Sequence, residues 1–166
     1  MSLTIRPVQK GEAALVLSLV RELAEYKNLS SEVDATVDLL DDALFRGHSS
    51  IYCDFAEWNG DVVGFALYFL NFSSFRGRNG LYLEDLFVRQ SHREKGIGRA
   101  MLQHLADRCV SEGWTRFEWN VLDWNSPAIE FYKSCGATLM TEWTTCRVTG
   151  ENLRQLAKGN LARGKT

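Results

Sequence analysis

LEDLFVRQSHREKGIGR, at residues 83–99, is the most informative segment of the sequence. It begins inside an almost uninterrupted apolar run, residues 81–88, which is typical of a strand covered on both faces. A basic turn follows, and Gly96 and Gly98 then open a segment whose apolar residues recur every four positions, the spacing of an amphipathic helix. The stretch therefore predicts a central strand, a basic turn and a helix in direct succession.

Strand and helix patterns continue on both sides of this stretch. Before it, the predicted elements are a strand at residues 4–7, helices near residues 15–23 and 33–45, and two strands starting at residues 51 and 62 that are joined by a turn at Asn59-Gly60. After it, they are a strand at residues 116–121, a helix from Ser126-Pro127 to just before Gly136, a strand at residues 142–149 and a short helix at residues 151–158. This order predicts an α/β (α+β) fold with a mixed sheet and helices on both faces.

Composition and charge limit the class of protein. A chain of 166 residues predicts a single domain, residues 1–166. The net charge of -2 provides no basic field for nucleic acid or an anionic membrane, and the longest apolar stretch, residues 62–70, is too short to span a bilayer. The amino end lacks a leader pattern, which predicts a cytoplasmic protein. Four cysteines without a C-x-x-C pair and three histidines without H-E-x-x-H spacing predict no structural metal.

The basic turn and the helix start form a candidate anion site. Free N–H groups at the amino end of a helix attract phosphate oxygens, and the two glycines let a ligand approach the backbone closely. The alternative is a solvated helix cap with incidental charges. The P-loop pattern is absent and G-x-G-x-x-G is incomplete, which disfavours nucleoside triphosphates and dinucleotides. The positive side chains gathered here are Arg89, His92, Arg93, Lys95 and Arg99.

Three segments carry a family resemblance. Residues 93–98, REKGIG, match R/Q-x-x-G-x-G/A, and the chain thereby resembles the GCN5-related N-acetyltransferases (GNAT), whose turn binds the pyrophosphate of acetyl-CoA. LYLEDLFV at residues 81–88 and NSPAIEFYK at residues 125–133 resemble the diamine (spermidine/spermine) acetyltransferase branch. The resemblance implies a GNAT fold with a mixed, mostly antiparallel twisted sheet of about six to seven strands and about four helices. It also implies acetyl-CoA as cosubstrate and a homodimer.

The resemblance assigns the cofactor site residue by residue. Leu86 and Val88 would present backbone groups to the pantetheine arm, as an added strand pairs with a splayed sheet, and Asn125 would contact the cofactor. The full set that it implies is Leu86, Phe87, Val88, Arg93, Glu94, Lys95, Gly96, Ile97, Gly98, Arg99, Asn125, Ser126 and Tyr132.

Acetyl transfer to an amine requires that the amine lose a proton. A lysine-like amine has a pKa of about 10.4, so its deprotonation near pH 7 costs roughly 4–5 kcal/mol. Glu84 and Asp85 stand adjacent in an apolar strand, and strand alternation sends them to opposite faces unless a bulge intervenes. The resemblance favours Glu84 as the base, acting through water, and leaves Asp85 to orient the cationic amine. The alternative for both is a structural ion pair with Arg6 or Arg116.

A second proton must reach the leaving thiolate of coenzyme A. The resemblance places Tyr132 beside the sulfur, where its phenol can donate that proton. Without the resemblance, a helical tyrosine next to Phe131 is more often a core residue.

The sequence does not identify the amine that accepts the acetyl group. In the resembling branch the end of the first helix lines the acceptor pocket, and acidic residues suit a cationic amine. Residues 142–147, EWTTCR, do not align with the E-E-G-W-R pattern of the polyamine enzymes, so a polyamine, a lysine- or thialysine-like amino acid and a peptide amine all stay open. A catalytically silent acyl-CoA-binding sensor is the alternative function. The candidate acceptor-binding residues are Glu25, Tyr26, Glu84, Asp85 and Glu118. The alternative for Glu25 is a solvated helix face that it forms together with Glu22.

Overall fold

The computed structural model of the protein describes residues 2–47, 49 and 51–159. The strands of its sheet lie side by side in chain order; the first three pairings are antiparallel, and the last two strands pair in parallel. This confirms the predicted mixed, mostly antiparallel sheet. The strands are β1 (Leu3–Pro7), β2 (Ile51–Trp58), β3 (Asp61–Ser73), β4 (Arg78–Val88) and β5 (Phe117–Trp119).

The helices divide between two compact units that meet in sequence at Asn125 and Ser126. The first unit holds the whole sheet and three helices, and the second holds the other two. In the described part of the chain no helix is both long and apolar enough to cross a bilayer. The helices are α1 (Ala13–Tyr26), α2 (Val37–Phe45), α3 (Ile97–Ser111), α4 (Ser126–Ser134) and α5 (Gly150–Ala157), with short 3-10 turns at Ser30–Glu32 and Gln90–His92.

The strand count differs from the prediction. The described residues contain five strands rather than six to seven, and the strand predicted at residues 142–149 is wrong. Every residue of that segment is exposed, Trp143 included, so its alternation has no buried face that could hold it in a sheet. The described helices number five rather than about four, because the predicted terminal helix forms as α5.

The hairpin between β2 and β3 is confirmed. Asn59 and Gly60 both have left-handed backbone, with φ of 53° and 92°, as a two-residue turn of this type requires. The turn sets Trp58 opposite Asp61. The turn therefore fixes the register of β3 on β2, and β4 pairs with the other edge of β3.

Helix α1 packs on one face of the sheet. Its buried side chains recur at spacings of three and four, which places them on one stripe of the helix. They enter a core cluster with aromatic residues from three strands, and this cluster holds α1 against β4. Its members include Val16, Leu19 and Leu23 of α1 with Phe55, Phe65 and Phe87 of β2, β3 and β4.

A buried polar network anchors α3 on the opposite face. Asp54 of β2 is 2% exposed; it accepts a hydrogen bond from the Tyr68 hydroxyl at 3.1 Å and lies 3.2 Å from Nε2 of His104. Arg108, one turn further along α3, donates to the same hydroxyl. Burial, followed by the charge of Asp54, raises the pKa of Tyr68, so its phenol stays a donor at neutral pH. The network fixes the position of α3, whose first turn carries Gly96 at its cap.

Candidate functional site

Strand β4 extends beyond its parallel neighbour. Within the described structure β5 pairs with β4 only along residues 81–83, whereas β4 continues to Val88. The N–H of Arg89 donates to the Val63 carbonyl at 2.8 Å. Because hydrogen-bonded pairs alternate along an antiparallel ladder, the N–H and C=O of Leu86 and Val88 point away from β3. Backbone donors and acceptors therefore line an edge of β4 beyond the end of β5.

A β-bulge lies at the start of this edge. Tyr68 of β3 faces Leu83 and the preceding Leu67 faces Asp85, so Glu84 is the additional residue on β4. Directly paired residues share a face, and the bulge therefore turns Asp85 to the face of Leu67 while Leu83 stays on the face of Tyr68. Glu84 itself is exposed. The bulge that the sequence left open is present, and it puts two carboxylates at the point where β5 stops pairing.

The ion pair of Asp85 differs from the alternative that the sequence left open. Arg6 on β1 pairs with Glu12 at the start of α1 and with Glu57 on β2. Arg116 pairs with Glu118 on β5. Asp85 lies instead 3.4 Å from Nζ of Lys27, the residue that caps α1. The alternative of an ion pair with Arg6 or Arg116 is not found among the described residues, because those arginines pair with other carboxylates.

The turn after β4 has the geometry of an anion site. Glu94 and Gly96 have left-handed backbone, with φ of 63° and 78°. Gly96 caps the fifteen-residue helix α3, and a Cβ added there would meet no atom within 4 Å. Open space therefore lies beside the first free N–H groups of α3, where the helix dipole also attracts negative charge. Phosphate oxygens fit such a turn.

Aromatic rings hold two of the cations at this turn. The Nε of Arg93 donates to the Val88 carbonyl at 3.0 Å, and its guanidinium carbon lies 4.2 Å from the centroid of the Tyr26 ring. Nζ of Lys95 lies 5.6 Å from the centroid of Trp58, at the end of β2. Both contacts have cation–π geometry. They position positive charge beside the cap of α3.

The end of α1 carries the predicted acceptor residues. Glu22 is paired with Arg89, whose Nη2 and Nε lie 2.7 and 2.9 Å from its carboxylate oxygens, and this hydrogen bonding raises the pKa of Arg89. Among the residues that the structure describes, Arg21 and Glu25 enter no ion pair. A groove of about 460 Å³ opens here, lined by Ser18, Arg21, Glu22, Glu25, Ser30 and Val33.

Glu118 lies on β5, opposite Tyr82 of β4. Its carboxylate accepts from Nδ2 of Asn71 at 2.8 Å and pairs with Nε of Arg116 at 2.9 Å. The Asn71 side chain lies close to Gly80: a Cβ added at Gly80 would lie 2.5 Å from Oδ1 of Asn71. A cationic ligand at Glu118 would have to compete with Arg116.

The remaining predicted residues lie at the junction of the two units and beyond it. Asn125 ends the first unit, and its backbone N–H donates to the Leu122 carbonyl at 2.8 Å. Ser126 begins α4, as the serine–proline pair predicts. Tyr132 lies on α4, with its ring centroid 5.3 Å from that of Phe131. The roles of these residues stay predictions.

Several contacts that hold the site have little or no signal in the sequence. The pairing of Glu22 with Arg89 joins residues 67 positions apart, and the pairing of Lys27 with Asp85 joins residues 58 positions apart. Lys27 directly follows a predicted acceptor residue, which is the one hint that the sequence contains. In the described part of the chain no cluster of three or more His, Cys, Asp or Glu side chains could hold a metal ion.

Comparison with known proteins identifies the family and the fold of the chain. Residues 16–137 match the model of the acetyltransferase (GNAT) family. Thialysine N-epsilon-acetyltransferase of Sus scrofa is 35% identical over 167 residues, which cover 94% of this chain and 98% of that protein. Spermidine/spermine N(1)-acetyltransferase-like protein 1 of Homo sapiens is 32% identical over 92% of this chain but only 23% of its own length. An integron cassette protein from the mobile metagenome of V. cholerae has the same fold, with a TM-score of 0.80, 33% identity and coverage of 95% of this chain and 99% of that one.

Proposed function

The chain belongs to the acetyltransferase (GNAT) family and is an N-acetyltransferase, and from this premise we propose that it moves the acetyl group of acetyl-CoA directly to a primary amine of a small cationic acceptor. The proposal rests on one observation: residues 84–97 bring together an open strand edge, two carboxylates and an anion turn.

Residues 84–97 fit acetyl-CoA. Bound acetyl-CoA supplies a thioester whose carbonyl carbon is the electrophile. The N–H groups at the cap of α3, with Arg93, Lys95 and Arg99 nearby, suit a pyrophosphate, and the space beside Gly96 leaves room for it. Leu86 and the N–H of Val88 hold the pantetheine amides along the edge of β4, as an added strand would be held, while the Val88 carbonyl accepts from Nε of Arg93. The predicted role of Asn125 at the cofactor rests on the family resemblance.

Glu84, at the bulge, accepts the proton that the acceptor amine loses. Glu84 is exposed and stands next to Asp85, so water reaches it and a proton taken from the amine passes readily to solvent. Asp85 faces α1 and orients the cationic acceptor, whose ammonium group competes there with Lys27, 3.4 Å from Oδ1 of Asp85. Tyr132 donates a proton to the departing sulfur, an assignment that rests on the family resemblance. If Tyr132→Phe kept full turnover with an unchanged pH profile, this assignment would be withdrawn.

The charges of the α1 groove favour a diamino acid over a polyamine. Arg89 neutralises Glu22, which leaves Arg21 and Glu25 as charges available to a ligand. A zwitterionic amino acid offers a carboxylate to Arg21 and an ammonium group to Glu25, whereas a polyamine has nothing for Arg21. The similarity to a thialysine acetyltransferase over nearly the whole chain supports the same acceptor class.

The homodimer, the cytoplasmic location and the single domain over residues 1–166 rest on composition and resemblance, and they stay predictions. The second candidate function, a silent acyl-CoA sensor, is disfavoured because Glu84 and Tyr132 are both present.

The test is release of coenzyme A thiol from acetyl-CoA with thialysine, lysine, ornithine, spermidine or putrescine as acceptor. Norleucine is the matched control, because it keeps the α-amine and carboxylate of lysine but lacks the side-chain amine. Release with the diamino acids supports the proposal. Release with polyamines alone would overturn the acceptor class, and acetyl-CoA binding by calorimetry without release from any amine would favour the sensor.

A substitution separates the two acceptor classes further. Arg21→Gln removes the cation proposed for the acceptor carboxylate, so we expect a higher KM for lysine-like acceptors and an unchanged KM for putrescine. An equal change for both acceptors would remove Arg21 from the site.

A further inference from the structure

We propose that Tyr68 is a positioning residue for acetyl transfer: its buried hydroxyl, held by Asp54 and Arg108, keeps β4 in the bulged register that presents Glu84 to the acceptor amine. The inference rests on the proposed function, since it takes Glu84 as the base. It concerns the face of the sheet that α3 covers, on the side opposite to α1.

The hydroxyl of Tyr68 joins three elements in the interior of the protein. It donates to Oδ2 of Asp54 on β2 at 3.1 Å and accepts from Arg108 on α3, and the side chains of Tyr68 and Asp54 are both buried. Burial raises the pKa of Tyr68, so its phenol keeps the proton that Asp54 accepts. A buried polar group that loses its partner is costly. The two bonds therefore hold the Tyr68 side chain in one position.

The pairing of β3 with β4 changes register at this same residue. Tyr68 faces Leu83, whereas the preceding residue, Leu67, faces Asp85. A regular antiparallel ladder that kept Asp85 opposite Leu67 would place Glu84 opposite Tyr68. The bulge removes Glu84 from that position, and Leu83 occupies it.

The buried charge of Asp54 excludes the regular register. Directly paired residues share a face, so Glu84 opposite Tyr68 would lie under α3, on the side of the sheet where the Asp54 carboxylate is already buried. A second carboxylate there would lose its water and meet a like charge. Leu83 is 2% exposed and fits this face, while Glu84 is exposed in the bulge. The network thus favours the register that leaves the base accessible.

Tyr52 provides a matched control in the same cluster. Its ring stacks on that of Tyr68, with 5.5 Å between centroids, and the guanidinium carbon of Arg108 lies 5.1 Å from its centroid. Tyr52 lies on β2, however, and in the described sheet β2 pairs with β1 and β3 but not with β4. Tyr52→Phe therefore removes a hydroxyl close to Tyr68 without altering the residue that faces the bulge.

The experiment measures turnover with a saturating amine from neutral to alkaline pH. Tyr68→Phe keeps the ring and removes the hydroxyl. We expect kcat to fall about tenfold near pH 7, because a displaced base is a poorer proton acceptor, and the loss to shrink as the pH rises. Tyr52→Phe should leave both kcat and its pH profile unchanged. A loss for Tyr68→Phe that is equal at every pH would contradict the inference.

A double-mutant cycle links Tyr68 to the base. In the Glu84→Gln background, Tyr68→Phe should change kcat by less than about twofold, because the group that it positions is no longer there. Additive losses would mean that the hydroxyl stabilises the fold without acting through Glu84, and they would overturn the inference.

A second variant covers the case in which Tyr68→Phe does not fold. Arg108→Gln releases the hydroxyl from α3 but leaves its bond to Asp54. We expect a smaller loss of kcat with the same trend in pH. Folded Arg108→Gln with the pH profile of the wild type would contradict the role of the network.

Hydrogen–deuterium exchange of the free protein reports on the bulge without any substrate. Tyr68→Phe should speed exchange of the amide groups of residues 83–85, and Tyr52→Phe should not. Equal exchange in Tyr68→Phe and the wild type would overturn the inference and leave the proposed function intact. Absence of turnover by the wild type with every amine would overturn the proposed function, and with it the role of Tyr68 in the reaction.

Discussion

The guanidinium group of Arg93 lies over the ring of Tyr26, with 4.2 Å between the guanidinium carbon and the ring centroid. Arg93 begins the glycine turn, and Tyr26 ends α1. This contact joins the proposed cofactor turn to the helix that carries the proposed acceptor residues. It also gives Tyr26 a role that its position in the sequence does not suggest.

Tyr26→Ala should therefore weaken cofactor binding. Loss of a partly exposed cation–π contact costs about 1 kcal/mol, so we expect the KM for acetyl-CoA to rise about fivefold. Tyr26→Phe keeps the ring and should behave as the wild type. Steady-state kinetics with both substrates decide the point: a rise in the KM of the amine alone would return Tyr26 to the acceptor site.

Glu84→Gln should lower turnover most strongly at low pH. The glutamine side chain is nearly the same size but cannot accept the proton, and the acceptor amine needs most help where it is most protonated. We expect a loss of about 10²-fold near pH 7 that shrinks as the pH approaches the pKa of the free amine. Rates measured from neutral to alkaline pH test this, and an equal loss at every pH would assign Glu84 to structure.

Gly64→Ala should displace the cofactor edge of β4. A Cβ at Gly64 would lie 2.5 Å from the Phe87 carbonyl oxygen and 3.3 Å from Cα of Val88. The backbone of β4 must move to relieve this clash, so we expect a loss of about 1–3 kcal/mol in unfolding free energy and a higher KM for acetyl-CoA.

Gly60→Ala is the matched control for that variant. Gly60 has a φ of 92° and open space around its Cβ position, so alanine strains the hairpin turn without pushing β4. We expect a loss of about 1 kcal/mol in stability and an unchanged KM. Urea denaturation and kinetics of both variants distinguish strain from displacement.

Glu12→Gln should reduce stability in a pH-dependent manner. The hydrogen bond from Arg6, which lies 2.8 Å from Glu12, holds the pKa of the Glu12 carboxyl below its ordinary value of 4.5. A group with a lowered pKa contributes stability above its unfolded-state value and loses it as the pH falls through the folded-state value. We therefore expect the variant to unfold about 1 kcal/mol more easily at pH 7 and to approach the wild type in acid.

A second acidic residue serves as the control for Glu12. Arg154 likewise lowers the pKa of Glu151, but this pair is open to solvent on α5. Glu151→Gln should leave the unfolding curve of the sheet unchanged at both pH values. Equal effects of the two substitutions would mean that partial burial of the pair of Arg6 and Glu12 adds nothing to its contribution to the unfolding free energy.

Local patterns predicted much of the fold. The run from β4 through the glycine turn to α3 formed as expected, because apolar periodicity and glycine conformation act over a few residues. The Asn59-Gly60 hairpin and the start of α4 at Ser126 formed for the same reason. The strand at residues 142–149 failed, because alternation predicts a strand only where a buried face and a partner strand hold it.

The sequence alone predicted the order of the strands and helices from β1 to α4, the glycine turn before α3 and the family resemblance. The folded structure was needed to show that Glu84 occupies a bulge, that Asp85 pairs with Lys27 and that Arg93 lies over the ring of Tyr26. These features join residues that are far apart in the chain. Their geometry depends on strand register and on the packing of α1 against the sheet, which no short stretch of residues encodes.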